Sequence, residues 1–341
     1  GSKSIIMADY DKVKIEKLRE SAIFPKIDYT PFFYAFYRSY LSRHSMPDGC
    51  MRYAAALSDA FDAWKVEIED GELIVGRPSE TPLTEEECAE WSTICRYTTP
   101  FQHTHVGQDS HMAIDYDRLL TQGTSGVRAY IDEKIAALSE TDPESVRRTA
   151  YYRACQTCLS AVERFSERYA AEAESRAQQN TDPILAEEYR RIASVCRRVP
   201  QYPAETFREA VQSVSFFTLC LSVNPFTPTT LQFQLGRPDR YLLPYYEADI
   251  AAGRITDEEV QTLLDCLAIQ INHRVPHGLS SGYMVGGKDK TGKVTSNPLT
   301  RMAMLAVEQV RLVYPSVGLC CASETPDTDI ETACSVLAKG H

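Results

Sequence analysis

The chain has 341 residues, of which 43% are hydrophobic and 24% charged, and its formal net charge is −11 at pH 7. This composition is that of a folded globular protein, so extensive disorder is not expected. The negative charge argues against a nucleic-acid-binding surface, because such surfaces concentrate lysine and arginine. The longest apolar run, 214–223, falls short of the roughly 20 residues that a membrane helix needs. We therefore predict a protein that binds neither nucleic acid nor membrane.

The eleven cysteines raise the question of disulfide bonds. The charged N-terminal segment lacks the apolar stretch of a signal peptide, so we expect reduced thiols in a cytoplasmic protein. Cys155 and Cys158 form a Cys-x-x-Cys pattern, but they lie in a helical stretch, where residues three apart share one face. These two, and also Cys320, Cys321 and Cys334, are predicted to be buried structural cysteines.

The first third of the chain mixes helical and irregular stretches. A charged amphipathic helix is predicted over 9–21, an aromatic-rich helix starts at Pro31, and a third helix covers 51–64. Residues 73–76, Leu-Ile-Val-Gly, follow an Asp-Gly turn and predict a short strand. Residues 77–117 contain three prolines and are predicted to be the least regular part of the chain.

From residue 119 onward the helical periodicity dominates. Asp182-Pro183 predicts an N-cap followed by proline at the first helical position, and Thr256 to Glu259 predict a capping box. Helices are predicted over 151–176, 186–198, 204–221, 259–272 and 299–313. Apolar strands are predicted just before Gly286-Gly287 and over 317–321. Long helices between buried strands favour a predominantly helical α/β protein.

The segment 234–244, Gln-Leu-Gly-Arg-Pro-Asp-Arg-Tyr-Leu-Leu-Pro, resembles the Gly-Arg-x-Asp-Gln-Tyr-Leu-x-Pro signature of glycyl radical enzymes of the pyruvate formate-lyase type. Further matches occur in the order of that family at 70–76, 196–210 and 286–292. Each motif is weak alone, but the ordered set spans nearly the whole chain. Within the segment, Arg237 and Asp239 would brace a turn by a charge-assisted hydrogen bond, which favours a structural role.

The resemblance implies a ten-stranded α/β barrel made of two five-stranded halves and wrapped in helices. Residues 1–341 would be the N-terminal portion of this pyruvate formate-lyase-like domain, with the helical region and much of the first half-barrel. In the family, a separate radical S-adenosylmethionine activase installs a glycyl radical, which takes hydrogen from a cysteine, and the thiyl radical then abstracts hydrogen from the substrate. The implied partners are a small-molecule substrate and the activase, with no other bound cofactor, and we also expect a homo-oligomer.

The two catalytic motifs of the family have no match in this chain. The cysteine loop typically has the pattern Gly-Cys-x-Glu, whereas Gly49-Cys50 is followed by Met-Arg. Ser281-Gly282-Tyr283 shares only its last letters with the Arg-Val-x-Gly-Tyr radical motif. We therefore expect a fragment of an anaerobic enzyme that contains no catalytic residue and is inactive alone.

Four residues are candidates for substrate binding. Ser110-His111 resembles a Gly-His segment near the substrate pocket of dehydratase-like members, and His111, together with Asp115, would hydrogen-bond a polar substrate. Gln232 and Gln234 occupy positions where relatives often carry serine, and both would point to one side of an extended strand. A loop histidine paired with a backbone carbonyl is the alternative for His111.

Other interpretations remain open. His103, His105 and Asp109 include a His-x-His ligand pattern, but no matching cluster follows and no metal is expected. The reaction would be that of a diol or amino-alcohol eliminase, a decarboxylase or an acyl-transferring lyase resembling formate acetyltransferase. The alternative function, from a different class of protein, is that of a non-catalytic helical binding or assembly module derived from such an enzyme.

Overall fold

The computed structural model describes residues 13–24, 28–102, 113–139, 141–223, 225, 234–274 and 281–340. The described helices are α1 (13–22), α2 (Thr30–Ser42), α3 (Gly49–Ala63), α4 (Glu85–Gln102), α5 (Tyr116–Ala136), α6 (Glu144–Gln179), α7 (Pro183–Arg198), α8 (Phe207–Ser222), α9 (Pro238–Tyr241), α10 (Leu243–Ala251), α11 (Asp257–Arg274), α12 (Pro298–Val310) and α13 (Asp327–Ala338). The described strands are β1 (Gly282–Gly286) and β2 (Ser316–Cys320), which pair in parallel and are joined through α12. The predominantly helical α/β class is confirmed; the ten-stranded barrel stays a prediction.

Side-chain caps start several of the helices at the predicted places. The Asp182 carboxylate accepts a hydrogen bond from the backbone N–H of Ile184 at 2.8 Å, and proline takes the first position of α7. Thr256 and Glu259 form both bonds of the predicted capping box, at 2.8 and 3.3 Å. These caps satisfy backbone N–H groups that a helix start would otherwise leave without partners.

The prediction that 77–117 is irregular is wrong for its central part, which forms α4. Thr84 and Glu87 form a capping box in which the Thr84 N–H donates to the Glu87 carboxylate at 2.8 Å and Glu87 N–H donates to the Thr84 hydroxyl at 3.3 Å. Acidic residues fill the first turn of α4, where they interact favourably with the helix dipole. Pro78 and Pro82 precede this helix, so they do not interrupt it.

The predicted strand at 73–76 is also wrong, because this buried segment pairs with side chains instead of another strand. The Gln212 side chain accepts from Val75 N–H at 2.8 Å and donates to Val75 C=O at 2.9 Å. The Arg208 and Arg274 guanidinium groups donate to the carbonyls of Leu73 and Gly76, both at 2.6 Å. Side chains of α8 and α11 thus supply the partners that a neighbouring strand would have provided.

Two hydrophobic clusters form the core, and α8 contributes to both. One cluster, called here the aromatic cluster, joins α2, α3, α6 and α7 and is built on close ring contacts among Phe32, Phe61, Trp64 and Phe165. The other, called here the strand cluster, joins α5, α8, α11 and α12 with β1. Within α8, Phe216 and Leu219 belong to the aromatic cluster, and Val211 and Val214 belong to the strand cluster.

All eleven cysteines carry free thiols, as expected. Cys155 and Cys158 lie half-buried on α6, while Cys321 and Cys334 are exposed. The prediction of burial is therefore wrong for Cys321, which follows the end of β2, and for Cys334 on the outer face of α13. None of the described helices is both long and apolar enough to span a bilayer.

Candidate functional site

Residues 234–236 run alongside β1 and place the Gly-Arg segment at its edge. The backbone N–H of Met284 donates to the carbonyl of Gly236 at 3.0 Å. The Gln234 side-chain oxygen accepts from the N–H of Gly282 at 3.2 Å. Gly236 has a φ of +65°, a conformation that glycine adopts without the steric penalty of a Cβ atom.

Arg237 and Asp239 bind the two backbone groups of Gly286 at the end of β1. The Asp239 carboxylate accepts from Gly286 N–H at 2.6 Å and from the Thr300 hydroxyl at 2.9 Å. The Arg237 guanidinium donates to the Gly286 carbonyl. The predicted brace therefore exists in a different form: instead of bonding to each other, the two side chains fix the end of a strand between them. This arrangement supports the structural role expected for the segment.

Burial dominates the electrostatics of Arg237 and Asp239, which together are called here the strand-end anchor. Asp239 is 1% exposed, and desolvation by burial raises the pKa of its carboxyl group above the usual value. The hydrogen bonds from Gly286 and Thr300 and the charge of Arg237 oppose that shift because they favour the ionised form. The buried carboxylate therefore depends on these hydrogen bonds and on the charge of the half-buried Arg237, because a buried carboxylate without them would be costly.

The two glycines at the end of β1 make room for this anchor. Both have positive φ angles, +68° at Gly286 and +74° at Gly287. A Cβ atom at Gly287 would lie 2.8 Å from Cβ of Cys320 and 3.2 Å from a guanidinium nitrogen of Arg237. Substitution at Gly287 would therefore push the arginine away from the strand end.

The segment at the start of α5 lies against the Gly-Arg segment. The Tyr116 hydroxyl donates to the backbone carbonyl of Gln234 at 3.0 Å. Its ring stacks on Tyr241, with centroids 5.0 Å apart, and the Tyr241 hydroxyl donates to Leu235 C=O at 2.9 Å. Two regions that the sequence suggested separately, one beside Asp115 and one at Gln234, are therefore neighbours in the fold.

The predicted substrate contacts are placed only in part. Asp115 is exposed and caps α5, with its carboxylate accepting from Arg118 N–H at 3.0 Å. Gln234 is half-buried and bonded to β1. His111 and Gln232 lie outside the described residues, as do the histidines and Asp109 of the metal alternative. The substrate-binding roles therefore remain predictions.

Sequence reasoning missed the residues that connect this site to α12. Asn297 donates from its side-chain amide to the backbone carbonyl of Asp239 at 2.8 Å and also caps α12 with Thr300. The pattern Asn-Pro-x-Thr at 297–300 was a signal for this cap. Tyr116 and Tyr241 carried no comparable signal, because their partners are backbone carbonyls. Among the side chains in the described ranges, no group of three or more His, Cys, Asp or Glu residues is placed to hold a metal.

Curated relatives of this chain are enzymes. Isethionate sulfite-lyase of Nitratidesulfovibrio vulgaris is 30% identical over 227 residues, which cover 62% of this chain and 27% of that enzyme. (2S)-3-sulfopropanediol dehydratase of Klebsiella oxytoca is 26% identical and is matched over 70% of this chain and 30% of its own length. The chain therefore spans less than a third of these relatives.

Solved structures confirm the fold over almost the whole chain. The B12-independent glycerol dehydratase of Clostridium butyricum superposes with a TM-score of 0.85 at 21% identity, covering 96% of this chain and 50% of that one. A glycyl radical enzyme of Archaeoglobus fulgidus superposes with a TM-score of 0.82 at 23% identity and similar coverage. The family model described as "Pyruvate formate lyase-like" matches residues 95–341. This chain belongs to the pyruvate formate lyase-like family of glycyl radical enzymes.

Proposed function

We propose that this chain is part of an anaerobic, cytoplasmic glycyl radical enzyme that acts on a small polar metabolite by thiyl-radical hydrogen abstraction. The reaction is that of a lyase, dehydratase, decarboxylase or formate acetyltransferase-like enzyme. A separate radical S-adenosylmethionine activase serves the intact protein. Residues 1–341 alone are inactive, because no segment matches the cysteine-loop or radical motif.

The observation that carries this proposal is the anchoring of the Gly-Arg segment to β1. In this arrangement 234–236 lie between the start of α5 and the strand edge, so the described parts of the two predicted substrate-contact regions are neighbours. Relatives named as a lyase and as dehydratases support a small polar substrate. The glycyl radical would supply hydrogen-atom abstraction in the intact enzyme, and the residues of this chain would orient the substrate.

In the proposed site, His111 and Gln232 contact the substrate directly. Gln234, two residues after Gln232 in the sequence, is fixed beside β1 through its bond to Gly282. Asp115, four residues after His111 in the sequence, caps the start of α5. A misplacement of about 1 Å at a reacting centre costs on the order of 10²-fold in rate, so such supports matter for turnover.

Spin-resonance spectroscopy tests the proposal. The product of the complete gene and the 341-residue chain are each incubated anaerobically with an activase and S-adenosylmethionine. We expect a glycyl doublet from the complete product and no organic radical from this chain. A doublet from the 341 residues alone would refute the assignment of the radical site to another part of the enzyme.

The same experiment separates the rival function. If the complete gene product contains neither Gly-Cys-x-Glu nor Arg-Val-x-Gly-Tyr and forms no radical, the protein is a non-catalytic binding or assembly module. If it forms the radical, turnover of diols, amino alcohols, sulfonates and carboxylates by the activated protein identifies the reaction class.

A further inference from the structure

A cavity of about 510 Å³ opens between α2, the end of α3 and residues 79–87. Its volume lies within the range of small-molecule sites. Its walls belong to the aromatic cluster and its surroundings, whereas the Gly-Arg segment packs in the strand cluster. All of its lining residues precede residue 95, where the match to the family model begins. The cavity is therefore separate from the Gly-Arg segment and its contacts with β1.

The inner wall of this cavity is apolar and rigid. Ala35, Ala63, Trp64 and Leu83 contribute to it. Trp64 is 2% exposed, and its ring stacks on Phe165 with centroids 5.5 Å apart and an interplanar angle of 11°. Trp64 itself lies beneath this wall, and the more accessible Ala35, Ala63 and Leu83 provide its apolar surface. Because the ring below them is fixed, binding of an apolar group would cost little reorganisation.

The mouth of the cavity carries two cations with unused capacity. Arg38, on α2, pairs with Glu90 with its Nε atom 3.5 Å from the carboxylate, and its guanidinium lies 5.9 Å from the centre of the Tyr34 ring. Lys65, which follows α3 on the opposite wall, makes no hydrogen bond or ion pair with any described residue. Both side chains are exposed and can reorient toward a ligand. Arginine and lysine at one mouth favour a carboxylate or phosphate.

The carboxylates that line the cavity are already engaged. Asp59 pairs with Arg43 at 2.7 Å and accepts from the Ser39 hydroxyl at 2.7 Å. Glu87 is turned toward the start of α4, where it accepts from Thr84 N–H at 2.8 Å. The lining as a whole has three cationic and two anionic side chains. Two further carboxylates bond to lining residues, Glu90 to Arg38 and Glu67 to the Ser79 hydroxyl, so each carboxylate at the cavity already has a partner.

We propose that this cavity binds a small organic anion. The apolar body of the ligand packs against Ala35, Ala63 and Leu83, above Trp64. Its carboxylate or phosphate lies between Arg38 and Lys65. The site is independent of the proposed catalytic function, and the 341-residue chain contains all of its lining residues.

Tryptophan fluorescence tests the proposal on this chain directly. The sequence has two tryptophans, and Trp91 is not part of the cavity lining, so Trp91→Phe leaves Trp64 as the sole tryptophan emitter. Benzoate and phenyl phosphate serve as aromatic anions; acetate lacks the apolar body, and benzyl alcohol lacks the charge. We expect a saturable change with one or both aromatic anions, and the tighter one identifies the preferred anionic group. Acetate and benzyl alcohol should give no saturation at the same concentrations.

Variants then locate the charge contact. Arg38→Ala and Lys65→Ala should each weaken binding about tenfold, the effect of losing one charge-assisted hydrogen bond of about 1.4 kcal/mol. Arg147→Ala and Lys290→Ala remove exposed cations elsewhere and should leave binding unchanged. All four positions are exposed, so circular dichroism should show an intact fold. Equal binding of benzyl alcohol and benzoate, unchanged affinity in both cavity variants, or no binding of either aromatic anion would overturn the proposal.

Discussion

The bonds between Gln212 and Val75 give a direct test of how the irregular segment 73–76 is held. Replacing Gln212 with leucine keeps a similar side-chain volume but removes both the acceptor for Val75 N–H and the donor to Val75 C=O. Gln212 is 2% exposed and Val75 is fully buried, so water cannot easily take over these bonds. The substitution isolates the polar partner from the packing.

The expected loss is large for a single substitution. Each buried polar group without a partner costs about 1–3 kcal/mol, and the variant leaves two such groups. The apolar leucine side chain offsets part of this cost through its own burial. We expect Gln212→Leu to lower the free energy of unfolding by about 3 kcal/mol, a substantial share of the roughly 5–15 kcal/mol typical of a folded protein.

Urea unfolding followed by circular dichroism measures this change. Gln178→Leu, at an exposed position of α6, is the matched control and should lie within about 0.5 kcal/mol of the unmodified chain. If Gln212→Leu is as stable as this control, the Val75 backbone finds other partners and the proposed anchoring is wrong.

Other expectations concern pH, association and catalysis. Burial raises the pKa of Asp265 from its usual 3.8 to about 7. The folded state therefore binds a proton there more tightly than the unfolded chain, and the free energy of unfolding falls as the pH rises from about 4 to about 7. Asp265→Asn should remove that part of the slope and raise stability at pH 8 by about 1–3 kcal/mol; an unchanged pH profile in urea titrations would contradict this. β2 pairs only with β1 among the described strands, so its other edge is open and we expect self-association in analytical ultracentrifugation. Cys321→Lys, next to the end of β2, should reduce this association, and a monomer at high concentration would count against the prediction. In the complete enzyme, His111→Ala should lower kcat/KM on the order of 10²-fold at full radical content, and an unchanged value would exclude a role in orienting substrate.

Local rules predicted much of the fold. Helices such as α6, α7, α11 and α12 follow from their periodicity, and the caps at Asp182 and Thr256 formed as their sequence patterns indicate. The family resemblance identified the segment 234–244, whose anchoring residues then appeared at one strand end. The predictions succeeded where neighbouring residues determine the outcome.

The errors arose where residues distant in the sequence determine the local structure. Residues 73–76 have the composition of a strand, yet Gln212 and Arg274 satisfy their backbone groups from two helices far along the chain. The contact between Tyr116 and Gln234 likewise joins distant segments. In α4, the opposite error occurred, because three prolines, two of them ahead of the helix and Pro100 near its end, were given more weight than the capping box at Thr84.

The position of α8 bears on how this chain can be divided. Its Phe216 and Leu219 complete the aromatic cluster, while Val211 and Val214 complete the strand cluster. A cut before or after this helix would give it to one piece and leave the other with an open apolar face. The two clusters thus share α8. A recombinant that exchanged the part of the chain around one cluster would therefore have to include α8 as well.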